Sequence, residues 1–195
     1  MEYPWYEEIC NSDNIAQGDI ISNCSIPIPN QELFQALLDD GDSINASVDI
    51  KCADVIILSQ ACDVLNNKVD SIVICPLWSL KKLVDTNSYY NSSKARESLR
   101  QGKEPSYHLL NEYESPAIRN DFVVADFHRI YSIPKPYLKK IAEKIHVRLR
   151  LLPPYREHLS QAFARYFMRV GLPTDINKDS IKKYLDSPTV ELRGI

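Results

Sequence analysis

The stretch that most constrains this chain is residues 54–76, which reads as strand, turn, strand. Val55, Ile56, Ile57 and Leu58 form an apolar run too short to span a membrane and rich in β-branched side chains. Asn66-Asn67 supplies turn chemistry, and residues 69–75 repeat the apolar profile. Two such ribbons predict an antiparallel hairpin buried in a sheet. Its connection carries the densest polar cluster in the chain, Ser59-Gln60-Ala61-Cys62-Asp63.

The remaining elements follow in order. Residues 1–17 predict an irregular aromatic lead, with Tyr3, Trp5, Tyr6 and Ile9 laid on the body. Gln17-Gly18-Asp19-Ile20 feeds a first strand that Pro27 and Pro29 end. Asn30 can cap a helix over 31–38, with Leu33, Phe34, Leu37 and Leu38 on one face. Ile44, Ala46, Val48 and Ile50 alternate like a half-buried strand. Residues 77–106 predict a helical insertion: a helix around Trp78, Leu80 and Leu83, then one capped by Ser92 or Ser93 and stopped by Gly102. Short strands are predicted at 108–110 and 122–127, the latter running on through 131, with a turn at 132–136. A helix over 137–145 and a strand over 147–151 come next. The clearest helix is 154–171, with Tyr155, Leu159, Ala162, Phe163, Tyr166, Phe167 and Val170 along one stripe. A short helix over 179–185 closes the sequence. The fold class expected is α+β in a single domain over 1–195.

Composition narrows the function. Hydrophobic residues are 44% and charged residues 25%, an ordinary globular balance. With a net charge of −3, any nucleic-acid site has to be a local patch. GxGxxG and GxxxxGK[ST] are both absent, which argues against the nucleotide folds built on them, and no cofactor is called for. The acidic N-terminus lacks a basic, then apolar, export signal, so a cytoplasmic location is expected, with no membrane partner.

Three groups of residues carry chemistry. Cys62 and Asp63 form a thiol–carboxylate pair in the central connection, and His108 or His128 could activate the thiol as a nucleophile. Ser59 and Gln60 beside them are binding residues, unless they only satisfy turn amides. Cys24, Cys62, Cys75 and His108 have the side chains of a zinc site. Hairpin geometry opposes it, because Cys62 sits roughly 20 Å from Cys75 at ~3.3 Å per strand residue. His158, Gln161, Arg165 and Arg169 share the polar side of the long helix, where forked guanidinium donors could hold a phosphate or an acidic partner.

The order of elements resembles the PemK/MazF-like family of small toxin endoribonucleases. Gln17-Gly18-Asp19-Ile20 is similar to the family's opening "RGDI" strand, and KCADVIILSQ over 51–60 to its "K.RPVVVLSN" strand. Residues 122–130 and 132–141 resemble its last barrel strand and the turn into a helix. LSQAFARYFMRVGL over 159–172 is similar to its C-terminal helix. The resemblance implies a small, partly open SH3-like barrel from a bacterial conflict or defence system. It also implies ribonuclease chemistry, but Cys52-Ala53 occupies the family's catalytic Arg-Pro positions. The leading expectation is therefore a non-catalytic accessory protein that engages a protein partner, or RNA, through a barrel surface and the basic helix face. An endoribonuclease with a rearranged site at Cys62, Asp63 and His128 is the first alternative. A zinc-binding structural module is the second.

Overall fold

The computed structural model describes residues 3–38, 47–168 and 177–185. The fold is mixed α and β with antiparallel sheets. The chain opens with β1 (Tyr6–Cys10), β2 (Ile20–Ile28) and α1 (Gln31–Leu38), then β3 (Asp49–Ile57), α2 (Ala61–Leu65) and β4 (Ser71–Ser79). The helical insertion follows as α3 (Leu80–Thr86), a 3-10 turn (Ser88–Asn91) and α4 (Ser93–Arg100). Four short strands come next: β5 (Tyr107–Leu110), β6 (Tyr113–Glu114), β7 (Arg119–Asn120) and β8 (Val123–Asp126). The last elements are β9 (Tyr131–Pro134), α5 (Lys135–Ala142), β10 (Val147–Leu151), α6 (Tyr155–Phe167) and α7 (Lys178–Leu185). No helix among the described residues is long and apolar enough to cross a membrane.

The central hairpin forms as its apolar runs require. Ile56 faces Cys75 and Ile57 faces Ile74 across an antiparallel ladder. Both faces of this pair are covered, which explains why the run 55–58 is continuous rather than alternating. Ile56, Cys75 and Leu77 pack with Leu159 and Ala162 of α6. Val55, Ile57, Ile72 and Ile74 pack on the other face with Leu138 and Ala142 of α5. The main sheet runs β2-β3-β4-β8-β5, with β9 also on β4. It is an open sheet, not a closed barrel.

The lead is irregular over 11–17, as expected, but not throughout. Tyr6–Cys10 pairs with Val147–Leu151 in a separate two-stranded ribbon. The QGDI segment ties that ribbon to the sheet. The Gln17 amide donates to Leu58 O at 3.1 Å and to Ser160 Oγ on α6 at 2.9 Å. Gly18 has φ +85, and a Cβ there would lie 3.1 Å from Leu151 Cβ, so only glycine lets the strands approach. Asp19 is fully buried and accepts from Arg148 Nε at 3.0 Å and from Arg150 on both carboxylate oxygens. The other Arg148 donors go to Cys10 O, Asp13 O and Asn14 O at 2.8–3.1 Å. Every charge in this cluster is answered.

Several expectations are corrected. Trp78 lies on β4, not in a helix; α3 begins after it, with Ser79 as its N-cap. Asn30 caps α1 as expected, accepting from Leu33 N at 3.0 Å, but Phe34, Leu37 and Leu38 face solvent. Periodicity says which residues share a helix face; it does not supply a neighbour to cover it. The α6 stripe holds through Leu159 and Ala162, with Phe163 half-buried, while Phe167 is 61% exposed. Ile44, Ala46, Arg169, Val170 and Gly171 lie outside the described residues. The strand from 123 does not run on through 131, and 132–136 is not all turn. Opposite β4, Ile74 faces Tyr131 while Leu77 faces Ala125, so three steps on β4 are met by six on its partner. The extra residues are expelled as a turn, and that turn displays His128 and Arg129.

Candidate functional site

Three cations from separate parts of the chain converge on one indole. Lys82 Nζ, from the first turns of α3, lies 4.3 Å from the Trp78 ring centroid, and Lys51 Nζ, from β3, lies 5.5 Å away. The Arg129 guanidinium reaches the same ring from the expelled turn, at 5.3 Å. Individually such contacts are ordinary cation–π interactions. Together they crowd like charges around one side chain. Partial burial, with the Arg129 and Lys82 charges beside it, holds the Lys51 ammonium below the ordinary lysine range. A cleft of about 240 Å³ opens here, lined by Lys51, Cys52, Ala53, Trp78 and Lys82 among others. The buried Trp78 Nε1 has no hydrogen-bond partner among the described residues.

The counter-charge is Asp126, buried at the end of β8, whose carboxylate stands 3.9 Å from Arg129 Nε. It accepts from His128 N at 3.1 Å and from His128 Nδ1 at 2.8 Å. The carboxylate orients the imidazole by accepting from Nδ1, which directs Nε2 away from Asp126. Tyr107 and Tyr166 flank the ring edge-on at 5.2 and 5.9 Å. An oriented acid–base imidazole therefore sits one residue from a crowded cationic cleft.

The expected site residues separate. Cys62 and Asp63 are on α2, where Cys62 is exposed and donates to Asp63 Oδ1 at 3.5 Å. Asp63 faces Lys68 at 3.8 Å. His128 is paired instead with Asp126, and no described contact joins it to Cys62 or Asp63. Ser59 Oγ accepts from Val73 N at 2.8 Å, a turn-closing role. Gln60 and Cys62 line a shallow cleft with Gln17, Ser160 and Gln161.

The zinc set is not gathered. Cys24 packs against the α5 face of the sheet, Cys75 against the α6 face, and Cys62 is at the surface. Among the described residues, no three His, Cys, Asp or Glu side chains are placed to hold a metal ion. Burial pushes the Cys24 thiol up to about 11, and it raises Cys75 well above the ordinary range, where it donates to Asp126 O. Both are small core side chains rather than nucleophiles.

No protein-family model and no curated protein matches the chain. The functional reading therefore rests on geometry. Sequence reasoning missed Lys51, Trp78, Lys82 and Arg129 as a group, since 31 residues separate Lys51 from Lys82 and 47 separate Lys82 from Arg129. No local motif links them, although Cys52 and Ala53, next to Lys51 in sequence, line the same cleft.

Proposed function

We propose that the protein binds single-stranded RNA through the cleft at Trp78, acting as a non-catalytic accessory protein. The observation that carries this is the crowding of Lys51, Lys82 and Arg129 around one indole, with Asp126 as the nearby carboxylate. Three cations against the one carboxylate of Asp126 leave the cleft net positive, which favours a polyanion, and an aromatic ring among them offers a base a stacking surface. The finer architecture we propose is a partly open SH3-like barrel. It is supported by the way β4 is shared, with β3 on one edge and β9 and then β8 on the other. A role in a bacterial conflict or defence system rests on the family resemblance alone.

The experiment is fluorescence anisotropy of labelled single-stranded RNA over a range of salt. Affinity should fall steeply with salt. Replacing Lys51, Lys82 and Arg129 together by Gln should reduce the log–log slope by about 2, at ~0.7 per phosphate contact. No RNA binding at the lowest salt overturns the proposal.

A second reading, RNA cleavage, is favoured by the Asp126–His128 pair beside the cleft. In it His128 Nε2 takes the proton of a 2′-hydroxyl as that oxygen attacks phosphorus; the P–O5′ bond breaks, leaving a 2′,3′-cyclic phosphate, and the departing 5′-oxygen takes its proton from water while the cations offset charge on the phosphoryl oxygens. RNA cut by the native protein but not by His128→Ala, on a denaturing gel, would establish it over the accessory role.

A further inference from the structure

A second basic site lies on the other face of β5. Strand alternation puts Tyr107 towards His128, whereas His108 turns to a cavity of about 300 Å³ walled by the end of α4, β5, Trp5 and α6. His158, Gln161 and Arg165 enter it from α6, and Arg100 and Gln101 from α4. Its described lining includes no Asp or Glu, although the chain as a whole carries a net charge of −3.

The carboxylates nearby are already engaged. Glu97 binds Arg100 through two contacts of 2.7 Å, and Glu157 binds Arg156 at 2.8 Å. The side chains of Arg165, His158 and His108 have no hydrogen-bond or ion-pair partner among the described residues. The insertion completes the wall. Gly102, with φ +64, ends α4 and brings bare backbone to Arg165, whose Nη2 lies 4.0 Å from where a Cβ would stand. Trp5 and Tyr155 stack at 3.7 Å at the rim, giving the donors a flat aromatic margin.

We propose that this cavity binds a small phosphomonoester, with Arg165 as the principal donor and His158 and His108 beside it. A dianion fits because the unpaired donors converge and nothing acidic opposes it. The flat margin favours a phosphate carried on a ring system, so adenosine 5′-monophosphate is the organic probe and inorganic phosphate the minimal one. The site is separate from the Trp78 cleft and does not depend on the RNA reading. His108 reports occupancy. Burial, with the charges of His158 and Arg165 facing it, lowers its pKa to about 4. Arg100, from α4, is neutralised by Glu97 and alters this little. A bound dianion opposes that depression and moves His108 back towards the ordinary range.

The test is a titration of the full chain with adenosine 5′-monophosphate and with phosphate, read by calorimetry and by the histidine ring signals. Binding by about 1 mM should shift the His108 and His158 signals and raise the His108 pKa by roughly one unit. Arg165→Gln, an exposed change, should weaken binding roughly tenfold while leaving RNA affinity alone. The Lys51, Lys82 and Arg129 variant should bind the monophosphate like the native chain. Phosphate binding without adenosine 5′-monophosphate binding would support the anion site and discard its ring margin. Unmoved histidine signals at ~10 mM of either probe, or full affinity in Arg165→Gln, would overturn the proposal.

Discussion

Asp19 and Asp126 are both buried carboxylates beside arginines, and the two clusters they anchor differ in how the cations are answered. At Asp19 the two guanidiniums bond the carboxylate directly, and their spare donors reach backbone carbonyls of the lead. At Asp126 the near partner is His128; Arg129 stands off at 3.9 Å, and Lys51 and Lys82 face Trp78 and the cleft. A saturated buried pair closes structure, because removing one member strands the other. Cations left facing a cleft do little for the fold and remain available to a ligand. Charge count alone does not separate the two clusters; the fate of each donor does.

The largest expected effect is on the closed cluster. Asp19→Ala leaves Arg148 buried without its carboxylate and should cost about 3–5 kcal/mol in urea denaturation. A loss below 1 kcal/mol would break the contrast. Arg150→Gln, at the partly exposed edge of the same cluster, should cost about 1.5–3 kcal/mol, because Asp19 keeps Arg148.

On the open cluster, replacing Lys51, Lys82 and Arg129 together by Gln should weaken RNA binding at least tenfold, about 1.4 kcal/mol, with little change in melting. A large melting loss in that variant would make those cations structural too.

His108 sharpens the contrast from the α6 cavity, where no lining carboxylate answers the positive charges. Its folded pKa is about 4 against an ordinary 6.5, so as pH falls below 6.5 the unfolded chain takes the proton first. Stability is therefore lost between pH 6.5 and 4. In His108→Asn the melting drop between pH 7 and 5 should shrink by about 4–7 °C; an unchanged drop would show that the cavity does not hold His108 neutral. The smallest effect is Arg129→Gln alone, which should move stability by no more than about 0.5 kcal/mol by thermal melting.

Much of the fold was legible because its signals are local. The hairpin of β3 and β4 follows from two β-branched runs, the insertion helix from the Ser92 cap and Gly102 stop, and α6 from a 3.6-residue stripe. The β1–β10 ribbon was not legible. Its partners are more than 130 residues apart, and the pairing depends on Gly18 and on Asp19 binding Arg148 and Arg150. The site was less legible than the fold. Cys62 and Asp63 drew attention as neighbours in sequence, but they point to the surface of α2, while His128 belongs with Asp126. Of the helix-face residues, His158, Gln161 and Arg165 do share a cavity, because helical spacing is a local rule.

The amino-acid order by itself determined the two apolar ribbons, the capped helices and the polar face of α6, since each depends on near neighbours and on periods of two or 3.6 residues. Only the tertiary structure decided which charges are saturated and which are left open. That outcome rests on a strand register that expels the 127–130 turn and carries Arg129 to Trp78, and on the insertion that walls off His108 and Arg165. Charge attraction and repulsion act through distance in space, and the separation of Lys51, Lys82 and Arg129 along the chain says nothing of it.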